Sequence, residues 1–259
     1  MKDLLHPRHR PAIARLAGVG APERLLVAFD YDGVLAPLVA RDPRGAGMRP
    51  RTRALLADLV GRYPVAVVSG RAWRDTYRFV GDIVPNVVGN HGFELGHPVP
   101  VPRAVVRRVR TWRRQLEGAL AGVPGLHFED KRSTLSIHFG LARSWHRAEK
   151  AVYEAANRLE GTRLVRGKKV LNVLPGSFPD KGDAVRALVA RLDCTTALYL
   201  GDDVTDEDVF ELGPPLVFGV HVGPGASLAP WRLASQERVD DLMEALLEAR
   251  PATRMRRAR

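Results

Sequence analysis

Two aspartates one residue apart, Asp30 and Asp32, follow a short apolar segment, LLVAF, and precede Gly33. In an extended chain, residues i and i+2 project to the same side, so both carboxylates can face one site. One carboxylate can attack phosphorus while the other protonates the leaving oxygen and later activates water. The pair therefore indicates phosphoryl transfer, although an Asp-Gly step is also common in ordinary turns.

A dense acidic run, GDDVTDED, lies far downstream and directly follows the apolar segment ALYL. So many like charges repel each other unless a cation is bound or water solvates them well. Oxygen ligands without a histidine favour a hard cation, and Mg²⁺ suits a site where a phosphate supplies further oxygens. Thr205 and Asp208 also have the spacing of a capping box, so the end of the run can simply start a helix. Asp202 and Asp203 precede that helix and are the metal candidates.

Two further polar residues fit a transferred phosphoryl group. Ser69 follows the apolar segment VAVV and precedes Gly70, so its hydroxyl and the loop amides can hold a phosphate. Lys181, at a predicted helix start, supplies a compact cation for phosphate oxygens and for the nucleophile. Either residue alone could be structural. Together with the two acidic motifs they form an ordered set in which each member lies at the end of a strand or helix.

Apolar segments and helical patterns alternate through most of the chain. Each apolar segment ends abruptly in polar residues or glycine, as expected for strands buried on both faces of a parallel sheet. The alternation predicts an α/β fold with an open, doubly wound parallel sheet that binds ligands at the carboxyl ends of its strands. The candidate residues lie at these ends. We predict strands at 25–30, 65–70, 86–92, 196–203 and 215–223, and helices at 51–62 and 181–192.

The pattern changes in the middle of the chain, after a linker rich in proline. Apolar residues recur at helical spacing from Val105 to Leu120 and again from Trp145 to Leu159, and strand-like alternation follows each helix. This αββαββ-like block differs from the flanking α/β pattern. We therefore predict an inserted α+β cap at residues 97–175, and a discontinuous core formed by residues 1–96 and 176–259.

Six segments carry a resemblance to a known family. FDYDGVLAPLV, VVSGR, GNHGFE, EDKRSTLSIHF, GKKVLNVLP and GDDVTDED occur in this order over about residues 25–210. The series resembles the haloacid dehalogenase superfamily, and more closely its trehalose-6-phosphate phosphatase branch. The resemblance implies a Rossmannoid core with a C2-type cap, and hydrolysis of trehalose 6-phosphate through an aspartyl-phosphate intermediate.

The resemblance also implies a role for each candidate residue. Asp30 would be the nucleophile and Asp32 the general acid/base, while Ser69 and Lys181 would hold the phosphate. Mg²⁺ would be held by Asp30, the backbone carbonyl of Asp32 and Asp202, with Asp203 and Asp206 nearby. The residues implied for the sugar are Glu129, Lys131 and Asn172 in the cap, and Arg71, Asn90 and His91 where the core and the cap meet.

The chain departs from the family pattern at a few positions. Asn172 stands where an acid is usual, Leu174 where an arginine is usual, and Gly140 ends the segment HFG where HYR is expected. These positions lie in or beside the cap, so a related sugar or pseudo-disaccharide phosphate remains open as the substrate. Val34 replaces a usual threonine near the nucleophile and leaves both carboxylates in place.

The overall charge allows further classes of function. A formal charge of +11 and an arginine-rich tail at 250–259 could attract nucleic acid. Arginine is used throughout the chain, however, and no basic motif interleaved with aromatic residues is present, so we expect no nucleic-acid partner. The acidic motifs also leave open a phospho-receiver domain, which orders its acids differently, and a catalytically silent sugar-phosphate-binding protein.

The sequence shows neither a run of eighteen apolar residues nor a signal-peptide pattern. We therefore expect a cytoplasmic protein without a membrane partner. The single cysteine, Cys194, excludes an intrachain disulfide bond. We expect a monomer that acts on a small-molecule sugar phosphate.

Overall fold

A computed structural model describes residues 1–18, 24–38, 47–167 and 169–250. Apart from Arg250, the basic tail lies outside the described residues. Among the helices of the described ranges, none combines the length and the apolar character that crossing a membrane would require.

Strands and helices are numbered along the chain. The strands are β1 (Lys2–Asp3), β2 (Leu25–Phe29), β3 (Val65–Val68), β4 (Asn86–Gly89), β5 (Glu94–Leu95), β6 (His127–Asp130), β7 (Leu135–His138), β8 (Thr162–Gly167), β9 (Val170–Pro175), β10 (Thr196–Gly201), β11 (Val217–Val222) and β12 (Trp231–Leu233). The helices are α1 (Arg10–Leu16), α2 (Pro50–Val60), α3 (Trp73–Val80), α4 (Arg103–Ala119), α5 (Trp145–Ala156), α6 (Lys181–Arg191), α7 (Glu207–Phe210) and α8 (Arg238–Ala249). Short 3-10 helices span Pro7–His9, Asn90–Gly92 and Val204–Asp206.

The larger sheet has the strand order β1-β12-β11-β10-β2-β3-β4-β5. All neighbouring pairs are parallel except β4 and β5. This arrangement confirms the predicted α/β fold with a doubly wound parallel sheet. The predicted strands run one to three residues too far at their carboxyl ends, because the polar residues and glycines that end each predicted strand lie in loops outside the sheet.

Both faces of the larger sheet are covered, which explains its continuous apolar strands. In β2, Val27 packs in an apolar cluster with α1, α2 and α8, while its neighbours Leu26 and Ala28 pack in a second cluster with α6 and α7. A fully buried valine or leucine side chain contributes about 1.5–3 kcal/mol through loss of contact with water. The sheet is therefore a rigid support for the loops at its carboxyl edge.

The middle of the chain forms a second, antiparallel sheet with the strand order β6-β7-β9-β8. Helices α4 and α5 cover one face of it through residues such as Trp112 and Val152, which cluster with Ile137 and Leu171. The element order αββαββ matches the pattern in the sequence. The limits proposed for the core and the cap remain predictions.

A buried carboxylate joins α2 to α8 and yields a stability prediction. Thr52 Oγ1 donates a hydrogen bond of 2.7 Å to Asp240 Oδ1, and both residues are buried. Thr52→Val keeps the shape but removes the donor, so we expect the free energy of unfolding to fall by about 1.5–3 kcal/mol. Denaturant unfolding measures this loss. Thr111→Val, at an exposed position of α4, is the control and should change stability by less than about 0.5 kcal/mol; equal effects would contradict the assignment.

Candidate active site

Asp30 lies where β2 leaves the larger sheet. Its N–H still donates to the carbonyl oxygen of Leu200 in β10 at 2.8 Å, while its Oδ1 accepts the N–H of Tyr31 at 2.7 Å. The chain then turns at Gly33, which has φ +78°, and a Cβ on Gly33 would lie 2.0 Å from Asp202 Oδ2. Glycine is required here because the left-handed backbone and the nearby carboxylate both exclude a side chain.

Lys181, the first residue of α6, is buried between two carboxylates. Its Nζ lies 3.2 Å from Asp30 Oδ2 and 2.7 Å from Asp206 Oδ1. Asp180 caps the helix and forms a reciprocal capping box with Asp183, which fixes the start of α6. Burial lowers the pKa of Lys181, but Asp206 and Asp30 outweigh that effect and raise it above its ordinary value. The lysine is therefore a permanent cation beneath the candidate nucleophile.

Asp206 is fully buried and accepts four hydrogen bonds. Lys181 Nζ and the Tyr199 hydroxyl donate to Oδ1 at 2.7 and 2.6 Å, and the N–H groups of Asp202 and Asp203 donate to Oδ2 at 2.9 and 3.0 Å. All the usual acceptor positions of this carboxylate are occupied. Asp206 therefore shapes the acidic loop and orients the lysine.

The acidic run begins a helix in a different way from that predicted. The sequence left open a capping box between Thr205 and Asp208, but the reciprocal pair that caps the 3-10 helix is Asp203 with Asp206. Asp203 Oδ1 accepts the N–H of Val204 at 2.7 Å. The spacing of three residues is the same in both pairs, so the sequence could not distinguish them.

Three carboxylates, those of Asp30, Asp202 and Asp206, offer oxygen atoms within 4.8 Å of one another. Burial, together with Asp206 and Asp203, raises the pKa of Asp202 to about 7. Such crowding of acidic oxygens fits a hard divalent cation. Because Asp206 already accepts four hydrogen bonds, Asp30 and Asp202 are the members with oxygen available for an ion. The side chains of Asp32 and Asp203 lie outside this group of three.

Asp32 forms a two-pronged ion pair with Arg71. Arg71 Nε lies 2.6 Å from Asp32 Oδ2, and Nη2 lies 2.7 Å from Oδ1. The guanidinium carbon Cζ also lies 5.8 Å from the centroid of the Tyr31 ring and 5.7 Å from that of Phe79. The second aspartate of the pair is therefore held at the cavity wall, facing a cation of the next loop.

Ser69, Asn90 and His91 come together at the ends of β3 and β4. Ser69 is buried, and its carbonyl oxygen accepts the N–H of His91 at 3.1 Å. Asn90 and His91 have φ of 48° and 56°, a strained backbone of the kind that is concentrated at functional sites. A Cβ on Gly70 would lie 2.5 Å from His91 Cε1. Burial, with Lys131 and Lys181 nearby, lowers the pKa of His91 well below its usual value.

A cavity of about 560 Å³ lies between the loops just described, which form its floor, and the smaller sheet, which forms its roof. This volume is in the range typical of small-molecule sites, about 300–1,000 Å³. Lys131 connects the two parts, since its Nζ donates to the carbonyl oxygen of Gly70 at 3.4 Å. Glu129 Oε2 lies 3.1 Å from His138 Nε2, and this hydrogen bond is the main cause that lowers the pKa of Glu129 to about 2.

The structure places most of the sequence-predicted residues around one cavity. Residues that line it include Asp30, Asp32, Arg71, His91, Glu129, Lys131, Asn172, Lys181 and Asp203. It also adds residues that the sequence did not single out, which are Asp75, Arg78 and Phe79 from α3, and Ser136 and His138 from β7. A polar residue or a phenylalanine within a helix or a strand is ordinary, so no local signal identified these five.

Comparison with known protein sequences indicates one family. The profile described as Trehalose-phosphatase matches residues 28–235. A trehalose-phosphate phosphatase of Mycobacterium ulcerans is 33% identical over 247 residues, covering 88% of this chain and 62% of that protein. The chain therefore spans less than two thirds of that relative's length.

Solved structures agree on the fold. The C-terminal domain of a C. albicans trehalose-6-phosphate phosphatase superposes with a TM-score of 0.78 at 23% identity, covering 92% of this chain and 96% of that one. An Aspergillus fumigatus trehalose-6-phosphate phosphatase has a TM-score of 0.64 at 25% identity, covering 96% and 100%.

The hydrogen bonds of Asp206 yield a second stability prediction. Tyr199→Phe removes an O–H donor from a buried carboxylate, so we expect the free energy of unfolding to fall by about 1.5–3 kcal/mol. Thermal or denaturant unfolding measures the change. Tyr77→Phe is the matched control, because the side chain of Tyr77 is 43% exposed. A Tyr199→Phe variant as stable as the control would contradict the four-bond arrangement.

Proposed function

The chain belongs to the trehalose-phosphatase family, and on that premise we propose that it is a Mg²⁺-dependent phosphatase that converts trehalose 6-phosphate to trehalose and phosphate. One observation carries the proposal. The buried carboxylate of Asp30 lies at the cavity floor, 3.2 Å from Lys181 Nζ and next to the acidic oxygens of Asp202 and Asp206. A carboxylate nucleophile, a fixed cation and an oxygen-rich ion site are the parts that phosphoryl transfer through an acyl phosphate requires.

The two aspartates divide the reaction between them. A carboxylate oxygen of Asp30 attacks phosphorus and forms an O–P bond, while the bond between phosphorus and the sugar oxygen breaks. In this proposal the ion pair between Asp32 and Arg71 opens when the substrate binds, and Asp32, in its protonated form, gives its proton to the departing sugar oxygen, which takes the electron pair of the broken bond. Asp32 then accepts a proton from water, which attacks the aspartyl-phosphate and releases phosphate, so that Asp30 is regenerated.

The neighbouring residues bind and orient the phosphate. The Tyr31 N–H fixes the carboxylate of Asp30 through Oδ1, and Lys181 supplies positive charge to the phosphoryl oxygens. The Ser69 hydroxyl and the amides of its loop hold the group at the end of β3. The carboxylates of Asp30 and Asp202 and the backbone carbonyl of Asp32 would hold Mg²⁺, and the charge of the ion would reduce the repulsion between nucleophile and substrate.

The smaller sheet supplies the sugar-binding side of the cavity. Glu129, Lys131 and Asn172 line the roof, and Arg71 and His91 line the region where floor and roof meet. The name of the M. ulcerans relative supports a trehalose phosphate as substrate. A related disaccharide phosphate is the second candidate, and it is favoured by the amide of Asn172, which replaces the acid expected at this position.

The nucleophile is tested by Asp30→Asn. An amide is a poor nucleophile, so we expect phosphate release from trehalose 6-phosphate to fall by at least about 10³-fold, a barrier increase of roughly 4 kcal/mol. The assay measures phosphate release with Mg²⁺ or with EDTA, over a panel of sugar and disaccharide phosphates. EDTA should abolish turnover of the wild-type protein.

Asp58→Asn is the matched control, because Asp58 is exposed on α2, and it should keep wild-type activity. Full activity of Asp30→Asn, or turnover that persists in EDTA, would overturn the mechanism. A preference for another sugar phosphate would overturn only the trehalose assignment. Binding without any turnover would favour a catalytically silent sugar-phosphate-binding protein.

Metal affinity should depend on pH because a proton competes with the ion at Asp202. The pKa of this carboxyl is about 7 without metal, so below that pH the group is largely protonated and binds a cation poorly. We expect the affinity for Mg²⁺ to rise by up to about tenfold per pH unit as pH increases through 7, and to level off above it. Titration calorimetry in buffers of different ionisation enthalpy measures affinity and proton release together. An affinity that does not change between pH 6 and 8 would contradict the prediction.

A further inference from the structure

The polar side chains of the cavity roof form a row across its strands. Glu129 on β6 pairs with Ser136 on β7, and Ser136 pairs with Asn172 on β9. Directly paired residues project from the same face of a sheet, and all three line the cavity. Glu129 and Asn172 are separated by two strand spacings, about 10 Å. They can therefore contact different parts of a disaccharide.

The amide of Asn172 has a fixed orientation. Ser136 Oγ donates to Asn172 Oδ1 at 2.6 Å, and Asn172 Nδ2 donates to the carbonyl oxygen of Val165 at 3.4 Å. If the amide were flipped, its oxygen would face this carbonyl oxygen, and two acceptors would meet with no hydrogen between them. Ser136 therefore takes one lone pair of the amide oxygen, and one hydrogen of Nδ2 is left to donate to a ligand in the cavity.

We propose that Asn172 is a specificity-determining residue that donates a hydrogen bond to an oxygen of the substrate sugar, and that Ser136 is the residue that positions it. The inference rests on the proposed function and deepens it. A carboxylate at this position would accept a hydrogen from a sugar hydroxyl, whereas the amide donates one. The carbonyl oxygen of Val165 accepts from the amide and would repel a carboxylate oxygen in the same place.

The two ends of the row have opposite polarity. Glu129, hydrogen-bonded to His138, is an ionised acceptor, while Asn172 is a donor. The sugar must bring a hydroxyl hydrogen to the glutamate and an oxygen lone pair to the asparagine. Near Asn172 the roof can therefore bind a sugar hydroxyl. It can also bind an oxygen that only accepts hydrogen bonds, such as an ether or carbonyl oxygen.

Substrate analogues test this polarity. We would measure kcat and KM of the Mg²⁺-loaded protein for trehalose 6-phosphates in which one hydroxyl at a time is replaced by hydrogen or by fluorine. Fluorine is a weak acceptor and cannot donate, whereas hydrogen does neither. At the sugar position that faces Asn172, we expect kcat/KM to fall by up to about tenfold for the deoxy analogue, because one hydrogen bond is lost. The fall should be clearly smaller for the fluoro analogue.

Variants of Asn172 and Ser136 test whether the difference between the deoxy and fluoro analogues arises from these two residues. Asn172→Ala should make the deoxy analogue and the parent equally good at that position, and Asn172→Asp should make the fluoro analogue as poor as the deoxy one. Ser136→Ala should raise KM and reduce the fluoro preference with little change in kcat. Ser144→Ala, at an exposed position before α5, is the matched control and should behave as wild type. Thermal unfolding verifies that each variant is folded.

The failure of this inference is distinct from that of the proposed function. If fluoro and deoxy analogues are equal at every position of the wild-type substrate, or if Asn172→Ala and Asn172→Asp both keep the wild-type ranking, the donor role is overturned. If trehalose 6-phosphate itself is not hydrolysed but another sugar phosphate is, the trehalose assignment fails. The same analogue series on that other sugar phosphate then tests the roof.

Discussion

The site depends on one buried cation that is shared by two buried carboxylates. Lys181 contacts both Asp30 and Asp206, and all three residues are at least nine-tenths buried. Buried charges are tolerated only when they are paired and hydrogen-bonded, since each loses its hydration. The pairing holds the candidate nucleophile beneath the cavity, and the remaining bonds of Asp206 hold the backbone of the acidic loop in place. Without the lysine, burial and mutual repulsion would drive these acids to take up protons or move apart.

The floor and the roof of the cavity differ in how they are attached. Within the part of the chain that the structure describes, the roof's apolar cluster contains only residues between Val105 and Val173, so there it shares no apolar core with the larger sheet. Polar contacts connect the two instead. Lys131 reaches the carbonyl oxygen of Gly70, and Arg163 of β8 lies 3.3 Å from Asp180 Oδ2 at the start of α6. Polar junctions of this kind permit relative motion, which suits the proposed hydrolysis, in which the cavity first excludes water and later admits it.

Much of the floor could be predicted from local sequence. Asp30, Ser69 and Lys181 each follow or begin an element that has a strong apolar pattern, and parallel strands bring their carboxyl ends to one edge. The roles of Asp206 and Arg71 could not be predicted in this way. Asp206 looked like one more acid in a charged helix start, and only its contact with Lys181, 25 residues earlier in the chain, distinguishes it. Arg71 reaches Asp32 across 39 residues, a contact that depends on how two loops leave neighbouring strands.

The sequence by itself determined the α/β alternation, the inserted block and the acids that follow β2 and β10, because strand burial and chain reversal are local properties of side chains. Tertiary structure decided which acids share the lysine, which carboxylate is left for a cation, and which way the amide of Asn172 points. These outcomes depend on the register between strands and on distances between loops far apart in the chain. Whether a hydrogen bond forms, and which group donates it, depends on a few tenths of an ångström and on the rotation of one side chain. No local pattern encodes either.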